Sequence, residues 1–128
     1  MAHPAKNQTR HSLRQLAQLR KLCRSLPETV EVEAWGEPTF RTKGKMFAMF
    51  ASPDTHHGDG RTAVWIMAEA DERDLLVKAA PQQYFVPPYQ GKSGWIGAYL
   101  DESTNWDELE SLLREGHRLR GAKKLRGA

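Results

Sequence analysis

Residues 26–50 read LPETVEVEAWGEPTFRTKGKMFAMF, and their apolar and turn-forming residues predict a run of antiparallel strands. From Val30 onward, apolar residues alternate with glutamates. This is the period of a half-buried strand, and it predicts that the glutamates face water. Gly36 and Pro38 interrupt the pattern, and a second strand resumes over 39–42. Lys43-Gly44 is typical of a two-residue hairpin loop, because glycine supplies the positive φ that such turns need. A third strand, over 45–51, then pairs with the second.

Helical and strand periodicities alternate along the rest of the chain. Leucines at spacings of three and four predict a helix from Thr9 or Ser12 to Pro27. The remaining predicted elements are a strand over 61–68, a helix capped by Asp71 and ended by Pro81, a loop over 81–92, a strand over 95–100 and a last helix capped by Thr104 or Asn105. This order of helix, four strands, helix, strand and helix predicts an α+β fold, with helices packed on one face of an antiparallel sheet.

Aromatic and leucine side chains mark the expected core. Trp35, Trp65 and Trp95 lie in predicted strands and are expected to be buried rather than to stack on bases, whereas Trp106 is expected to be partly exposed. Cys23 shares a leucine-rich helix face and is expected to be a core residue rather than a reactive thiol. The helices are expected to bury Leu13, Leu16, Leu19, Leu22, Leu26, Leu75, Leu76, Leu109, Leu112, Leu113 and Leu119.

The length and composition favour one compact domain. The chain has 128 residues, 39% of them hydrophobic and 27% charged. We expect a disordered tail over 1–11, one domain over 12–120 and a basic tail over 121–128. The apolar runs fall short of the roughly 20 residues of a membrane helix, and no charged-then-apolar leader opens the chain. With a single cysteine, these features favour a cytoplasmic protein.

The net charge of +3 conceals an uneven distribution. Residues 1–26 hold six basic and no acidic side chains, and residues 113–128 hold six basic side chains and Glu115. The segment between them holds seven basic and fifteen acidic side chains. If the first and last helices lie side by side, their exposed faces form one basic surface suited to phosphate or another polyanion. The alternative is an ordinary solvated helix face with a cationic tail.

No residue set in the chain indicates a reaction. Gly91-Lys92-Ser93 is similar to the end of a phosphate-binding loop, but that motif needs a glycine where Val86 stands. His56 and His57 lie between two aspartates, yet adjacent loop histidines rarely bind one ion. No serine or cysteine stands in a recognised nucleophile motif. We therefore expect no catalytic residues, no metal and no cofactor.

Three short motifs carry a family resemblance. They are Trp-Gly-Glu-Pro-Thr-Phe at 35–40, Gly-Lys-Met-Phe-Ala at 44–48 and Ser-Gly-Trp-Ile at 93–96. With the last amphipathic helix, this order resembles the MmcQ/YjbR family of small bacterial proteins over nearly the whole chain. The resemblance implies a frataxin-like α+β sandwich and double-wing DNA binding. Gly116-His117 departs from the Ser-Tyr that many members carry there, which puts any role of that tyrosine in doubt.

The acidic residues of the second helix have two interpretations. A frataxin-like fold presents carboxylates that can bind iron. Glu69, Asp71, Glu72 and Asp74 cluster where the helix begins, however, and carboxylates are favoured there by the unpaired amides and the helix dipole. Helix capping is the simpler interpretation.

The DNA-binding hypothesis depends on cationic hairpin tips. The two tips would carry Arg41, Lys43 and Lys45 on one and His56, His57 and Arg61 on the other, with Arg118, Lys123 and Lys124 adding charge from the last helix and tail. Lysine and arginine contacts to phosphate give affinity without sequence choice. The alternative is that Lys43 and Lys45 keep a hairpin soluble and discourage edge pairing.

A second hypothesis is a binding module for a protein or a small molecule. The loop from Tyr84 to Lys92 and the sheet would form a pocket that includes Tyr84, and Tyr89 and Trp95 would line its apolar wall. An exposed aromatic cleft would favour this hypothesis. A continuous positive face across both hairpin tips would favour DNA.

Overall fold

The described residues form a six-stranded antiparallel sheet and three helices. The structure is a computed structural model that describes residues 5–53, 60–88 and 94–121, with the backbone alone for 5–9. The elements are α1 (Ala5–Arg24), β1 (Thr29–Ala34), β2 (Glu37–Thr42), β3 (Lys45–Ala51), β4 (Ala63–Ile66), α2 (Ala70–Ala79), β5 (Tyr84–Phe85), β6 (Ile96–Tyr99) and α3 (Trp106–Gly121). The strand order is β1-β2-β3-β4-β6-β5. None of these helices is long and apolar enough to span a membrane.

Two-residue turns join the first three strands. Trp35 and Gly36 have φ angles of 56° and 77°, and Lys43 and Gly44 have φ angles of 52° and 79°. Positive φ at both central residues defines the type I′ turn, whose twist matches that of the flanking strands. The predicted turn at Lys43-Gly44 is confirmed. Trp35 is a turn residue that is 66% exposed, so its expected burial in a strand is wrong.

β1 presents the opposite faces from those predicted. Val30 and Val32 are 57% and 41% exposed, whereas Glu31 faces α1. Arg20 on α1 donates to Glu31 through Nε–Oε1 at 2.9 Å and Nη2–Oε2 at 2.7 Å. Alternation shows which residues share a face, but packing against a neighbouring helix decides which face is covered. The prediction that the glutamates face water is therefore wrong for Glu31.

Apolar residues pack on both faces of the sheet. All three helices cover one face, where the core includes Leu19, Phe40, Phe47, Ile66, Leu109 and Leu113. On the opposite face, Met49, Trp65 and Trp95 form a second buried cluster with Ala51 and Ala63. The predicted α+β fold, with helices on one face, is confirmed, as is the burial of Trp65 and Trp95.

Three other local predictions are wrong. α1 begins at Ala5, so residues 5–11 are helical rather than a disordered tail, because polar helix formers can extend a helix beyond its apolar face. β5 is a short strand within the predicted loop, and it pairs with β6. The expected burial of two leucines is wrong: Leu75 is 70% exposed, since α2 packs on the core through Leu76 and Val77, and Leu13 is 58% exposed, since the core residues of α1 begin at Leu16.

Candidate nucleic-acid interface

The outer face of α1 carries a line of exposed cations. Arg10, Arg14, Lys21 and Arg24 follow one another at intervals of four, seven and three residues, so they lie on one side of the helix. α1 contains no acidic residue, and its other side packs leucines into the core. At 1.5 Å per residue, the line is about 21 Å long. We call these four residues the α1 stripe.

Most cations of the stripe have no ion-pair partner among the described residues. Their neighbour Arg20, by contrast, is paired with Glu31, and the hydrogen bonds between them raise the pKa of Arg20. Arg24 lies 3.5 Å from the same carboxylate. Within the part of the chain that the structure describes, Arg10, Arg14 and Lys21 form no ion pair. Three cations of the stripe can therefore meet an anion without first breaking an ion pair.

The ends of α1 and α3 meet the β2–β3 turn at one end of the sheet. His117 of α3 donates from Nε2 to the carbonyl oxygen of Pro27, three residues after α1, at 2.7 Å. Lys43 Nζ in the turn donates to the carbonyl oxygen of Gly121, the last residue of α3, at 3.1 Å. Both helices therefore point their C-terminal ends at the turn.

These elements bring together cations that are distant in sequence, and we call this group the basic end. Its members are Lys21, Arg24, Lys43, Lys45, Arg118 and Arg120. Some of this charge is used within the fold, because cations near helix C-termini offset the helix dipoles. Glu115 accepts a bond from Arg118 at 2.5 Å, which raises the pKa of Arg118. Arg120 donates to the carbonyl oxygen of Met46 at 3.0 Å. Within the described residues, Lys21 and Lys45 are not held by such contacts, and Lys43 keeps two of its three N–H donors beside the bond to Gly121. These three lysines are the cations best placed for a ligand.

The two hairpin tips predicted to act together lie at opposite ends of the sheet. Lys45 begins β3, whereas Arg61 lies near Ala63, which pairs with Ala51 at the far end of that strand. Six residues of strand separate the two ends by about 20 Å. Successive turns of an antiparallel meander alternate between the ends of the sheet. Lys45 and Arg61 therefore do not form the continuous positive face across both tips that would favour DNA.

The predicted contact residues differ in their surroundings. Arg61 stacks over Tyr99, 3.4 Å from the ring centroid, and its Nη2 lies 3.5 Å from Oδ2 of Asp101. The pKa of Asp101 is lowered, chiefly by the hydrogen bond from Ser103 and further by Arg61. Arg41 lies near the basic end, where its Nε donates to a threonine hydroxyl at 3.1 Å. His56, His57, Lys123 and Lys124 lie outside the described residues.

The predicted aromatic pocket is not formed by Tyr84 and Trp95. Tyr84 belongs to the cluster under the helices and Trp95 to the cluster on the other face, so the sheet separates them. The Tyr84 hydroxyl donates to Glu108, and burial first, then this bond, raises the pKa of Tyr84. A cavity of about 10 Å³ beside Tyr84 has room for roughly one water molecule. Tyr89 lies outside the described residues.

The carboxylates at the start of α2 occupy positions that favour helix formation. α2 begins at Ala70 with Glu69 as its N-cap, so the prediction that Asp71 caps the helix is wrong. Asp71 and Glu72 lie in the first turn, where the helix dipole favours negative charge. Within residues 5–53, 60–88 and 94–121, no three His, Cys, Asp or Glu side chains are grouped so as to hold a metal ion.

The sequence predicts phosphate contacts from the basic first and last helices, but the predicted contact residues name none of the α1 stripe. Residues 1–26 contain six basic and no acidic side chains. The positions of the stripe follow the same helical period as the buried leucines, on the opposite side of α1. Plotting the charges on that helix would therefore have identified Arg10, Arg14 and Lys21.

Comparison with known proteins agrees with the motifs in the chain. The family model described as YjbR matches residues 24–119, which include the β2–β3 turn and nearly all of α3. The chain belongs to the YjbR family. Arg10, Arg14 and Lys21 of the α1 stripe precede the region that matches the YjbR model, so the match gives no information about these three residues. No curated protein matches the chain.

Two solved structures share the YjbR fold. A Deinococcus radiodurans protein with a DUF419 domain is 22% identical, with a TM-score of 0.69 over 81% of this chain and 76% of that one. A Pseudomonas syringae protein is 16% identical, with a TM-score of 0.64 over 81% of this chain and 97% of that one. At these identities the similarity establishes the fold alone.

Proposed function

We propose that this YjbR-family protein binds duplex DNA through phosphate contacts from the α1 stripe and the basic end. The observation that carries the proposal is a run of exposed cations on α1, without an acidic residue in that helix, leading to Lys43 and Lys45. We further propose that the protein is cytoplasmic and has no catalytic role. The notion of two cooperating wing tips is replaced by one helix and one hairpin turn.

The dimensions of the α1 stripe suit a duplex. Its length of about 21 Å corresponds to roughly six base pairs, since each pair rises 3.4 Å. Lysine and arginine side chains that bind phosphates release the counterions condensed there, so affinity for DNA should fall steeply with added salt. Such contacts carry no base information, and we therefore propose weak binding that tolerates many sequences.

A fluorescence-anisotropy titration of labelled duplex DNA at several salt concentrations tests this proposal. The intact chain is compared with a stripe variant, Arg10→Gln with Arg14→Gln and Lys21→Gln, and with a turn variant, Lys43→Ala with Lys45→Ala. We expect the log–log salt slope to fall by roughly two to three units in the stripe variant and by one to two in the turn variant.

Arg61→Gln is the control for loss of a cation outside the proposed contact surface. It removes one exposed cation at the other end of the sheet, and we expect the salt slope to stay unchanged. Circular dichroism establishes that each variant is folded, which matters for Lys43 because it bonds to the end of α3. Absence of binding by the intact chain at low salt would overturn the proposal. Loss of affinity in the Arg61 variant, with none in the stripe variant, would exclude the stripe as the contact surface.

A further inference from the structure

The sheet has one long edge without a described neighbour. β1 and β5 are the edge strands, and β5 has only two residues. β1 has six residues, contains neither lysine nor proline, and pairs with β2 without a bulge. Short strands, charged side chains, prolines and bulges are the usual features that prevent pairing at an edge. Of these, β1 has only the charged Glu31 and Glu33, and within the described residues no strand lies on its outer side.

The type I′ turn shows which backbone groups of β1 point outward. Ala34 and Glu37 flank the two-residue turn, so they exchange both hydrogen bonds. Hydrogen-bonded and non-bonded pairs alternate along an antiparallel ladder. The N–H and C=O groups of Thr29, Glu31 and Glu33 therefore point away from β2, toward the open edge.

The side chains of β1 add an apolar patch to this open edge. Val30 and Val32 are exposed on the sheet face away from the helices. On the helix face, Glu31 is held by Arg20, and Arg24 approaches its other oxygen at 3.5 Å. The carboxylate at the middle of the edge is therefore neutralised by its own chain, which removes the contribution of Glu31 to the repulsion between two such edges.

We infer that β1 pairs antiparallel with β1 of a second copy of this chain, about a twofold axis at Glu31. In this register the outward backbone groups of Glu31 bond to those of Glu31 in the second copy. Val30 then lies opposite Val32 of the second copy, in the non-bonded pairs where side chains approach closely. A shift that centres the axis on Val32 leaves one valine pair, Val32 with Val32, and two pairs of Glu31 with Glu33. The first register has two valine pairs and one pair of glutamates, so it is the better one.

The dimer joins the two sheets and places both α1 helices on one face. A contact of one six-residue edge is small, so we expect a dissociation constant in the micromolar range or weaker. The inference does not depend on DNA binding, because it uses the edge of β1 and, of the α1 stripe, only Arg24, which lies beside Glu31.

Sedimentation velocity over protein concentrations from roughly 1 μM to 1 mM tests the dimer. We expect a concentration-dependent shift from the chain mass of 14.5 kDa to twice that mass. Val32→Lys places a cation in the valine pairs, and Glu33→Pro removes an outward N–H without touching the β1–β2 ladder. Each should weaken dimerisation at least about tenfold. Leu75→Lys, which changes an exposed apolar residue elsewhere, should have no effect.

Amide hydrogen exchange locates the contact independently of these variants. At high protein concentration, exchange at Glu31 and Glu33 should slow, because their outward N–H groups become bonded. A chain that stays monomeric at every concentration would overturn the inference. So would a dimer that leaves exchange at these two amides unchanged, since such a dimer uses another surface.

Discussion

Nε2 of His117 lies 2.7 Å from the carbonyl oxygen of Pro27, ninety positions earlier in the chain. The bond joins α3 to the segment that follows α1, and the His117 ring also meets Phe47 edge-on, with centroids 5.3 Å apart. Because a carbonyl oxygen only accepts, Nε2 carries the proton. This histidine occupies the position where the family resemblance places a tyrosine, and it holds together the two helices that form the basic end.

We expect His117→Phe to lower the free energy of unfolding by about 1–2 kcal/mol, because it keeps the ring contact and loses the hydrogen bond. Urea unfolding measures this difference. His117→Ala, which loses both contacts, should be less stable than His117→Phe. Equal stability of His117→Phe and the unmodified chain would mean that the bond to Pro27 contributes nothing.

Gly116 allows α3 to lie close to the sheet. A Cβ at this position would lie 2.8 Å from the carbonyl oxygen of Met67 and 3.0 Å from Cγ2 of Ile66. We expect Gly116→Ala to destabilise the fold by about 1–3 kcal/mol, as overpacked cores do. Gly121→Ala is the control, since its Cβ would meet Thr42 at an ordinary 3.6 Å. Thermal unfolding of both variants decides whether the close approach matters.

Tyr84 and Glu108 form a hydrogen bond beside the core. Because of this bond, the free energy of unfolding should depend on pH in the alkaline range. Burial and this bond raise the pKa of Tyr84, so the folded state keeps a proton that the unfolded state loses. The resulting stabilisation is complete below the unfolded pKa of about 10 and is lost as the pH rises above it. We expect Tyr84→Phe to cost about 1–2 kcal/mol near neutral pH.

Urea unfolding at about pH 8 and about pH 11 measures this dependence. The free energy of unfolding should fall less steeply between these conditions in Tyr84→Phe than in the unmodified chain. Parallel curves for the two proteins would assign the alkaline loss to other groups.

Cys23 should be inert in the folded chain. Its side chain is fully buried, and that burial is the main cause that raises the pKa of the thiol. Because the thiolate is the reactive form, reaction with a thiol reagent should require local opening or unfolding. We expect one thiol per chain to react in denaturant, and reaction to be slower by orders of magnitude under native conditions. Rapid labelling of the native chain would contradict the burial of Cys23.

The candidate interface was predictable in part. Lys43-Gly44 was predictable as a turn because its backbone conformation depends on two adjacent residues. The grouping of Lys43 with Arg118 and Lys21 was not, because it depends on where the two helices end over the sheet. The sequence did not show that Lys43 and Arg61 lie at opposite ends of the sheet, because charge content does not tell at which end of a meander each turn lies.

The sequence by itself determined the order of every element except β5, most of the leucine faces of α1 and α3, and the class of fold. These properties follow from the spacing of neighbouring residues. Only the tertiary structure decided that Val30 and Trp35 are exposed, that Glu31 is held by Arg20, and that two turns lie on opposite ends of the sheet. Periodicity groups residues onto a common face, but the packing of distant segments decides whether that face meets the core, a neighbouring helix or water.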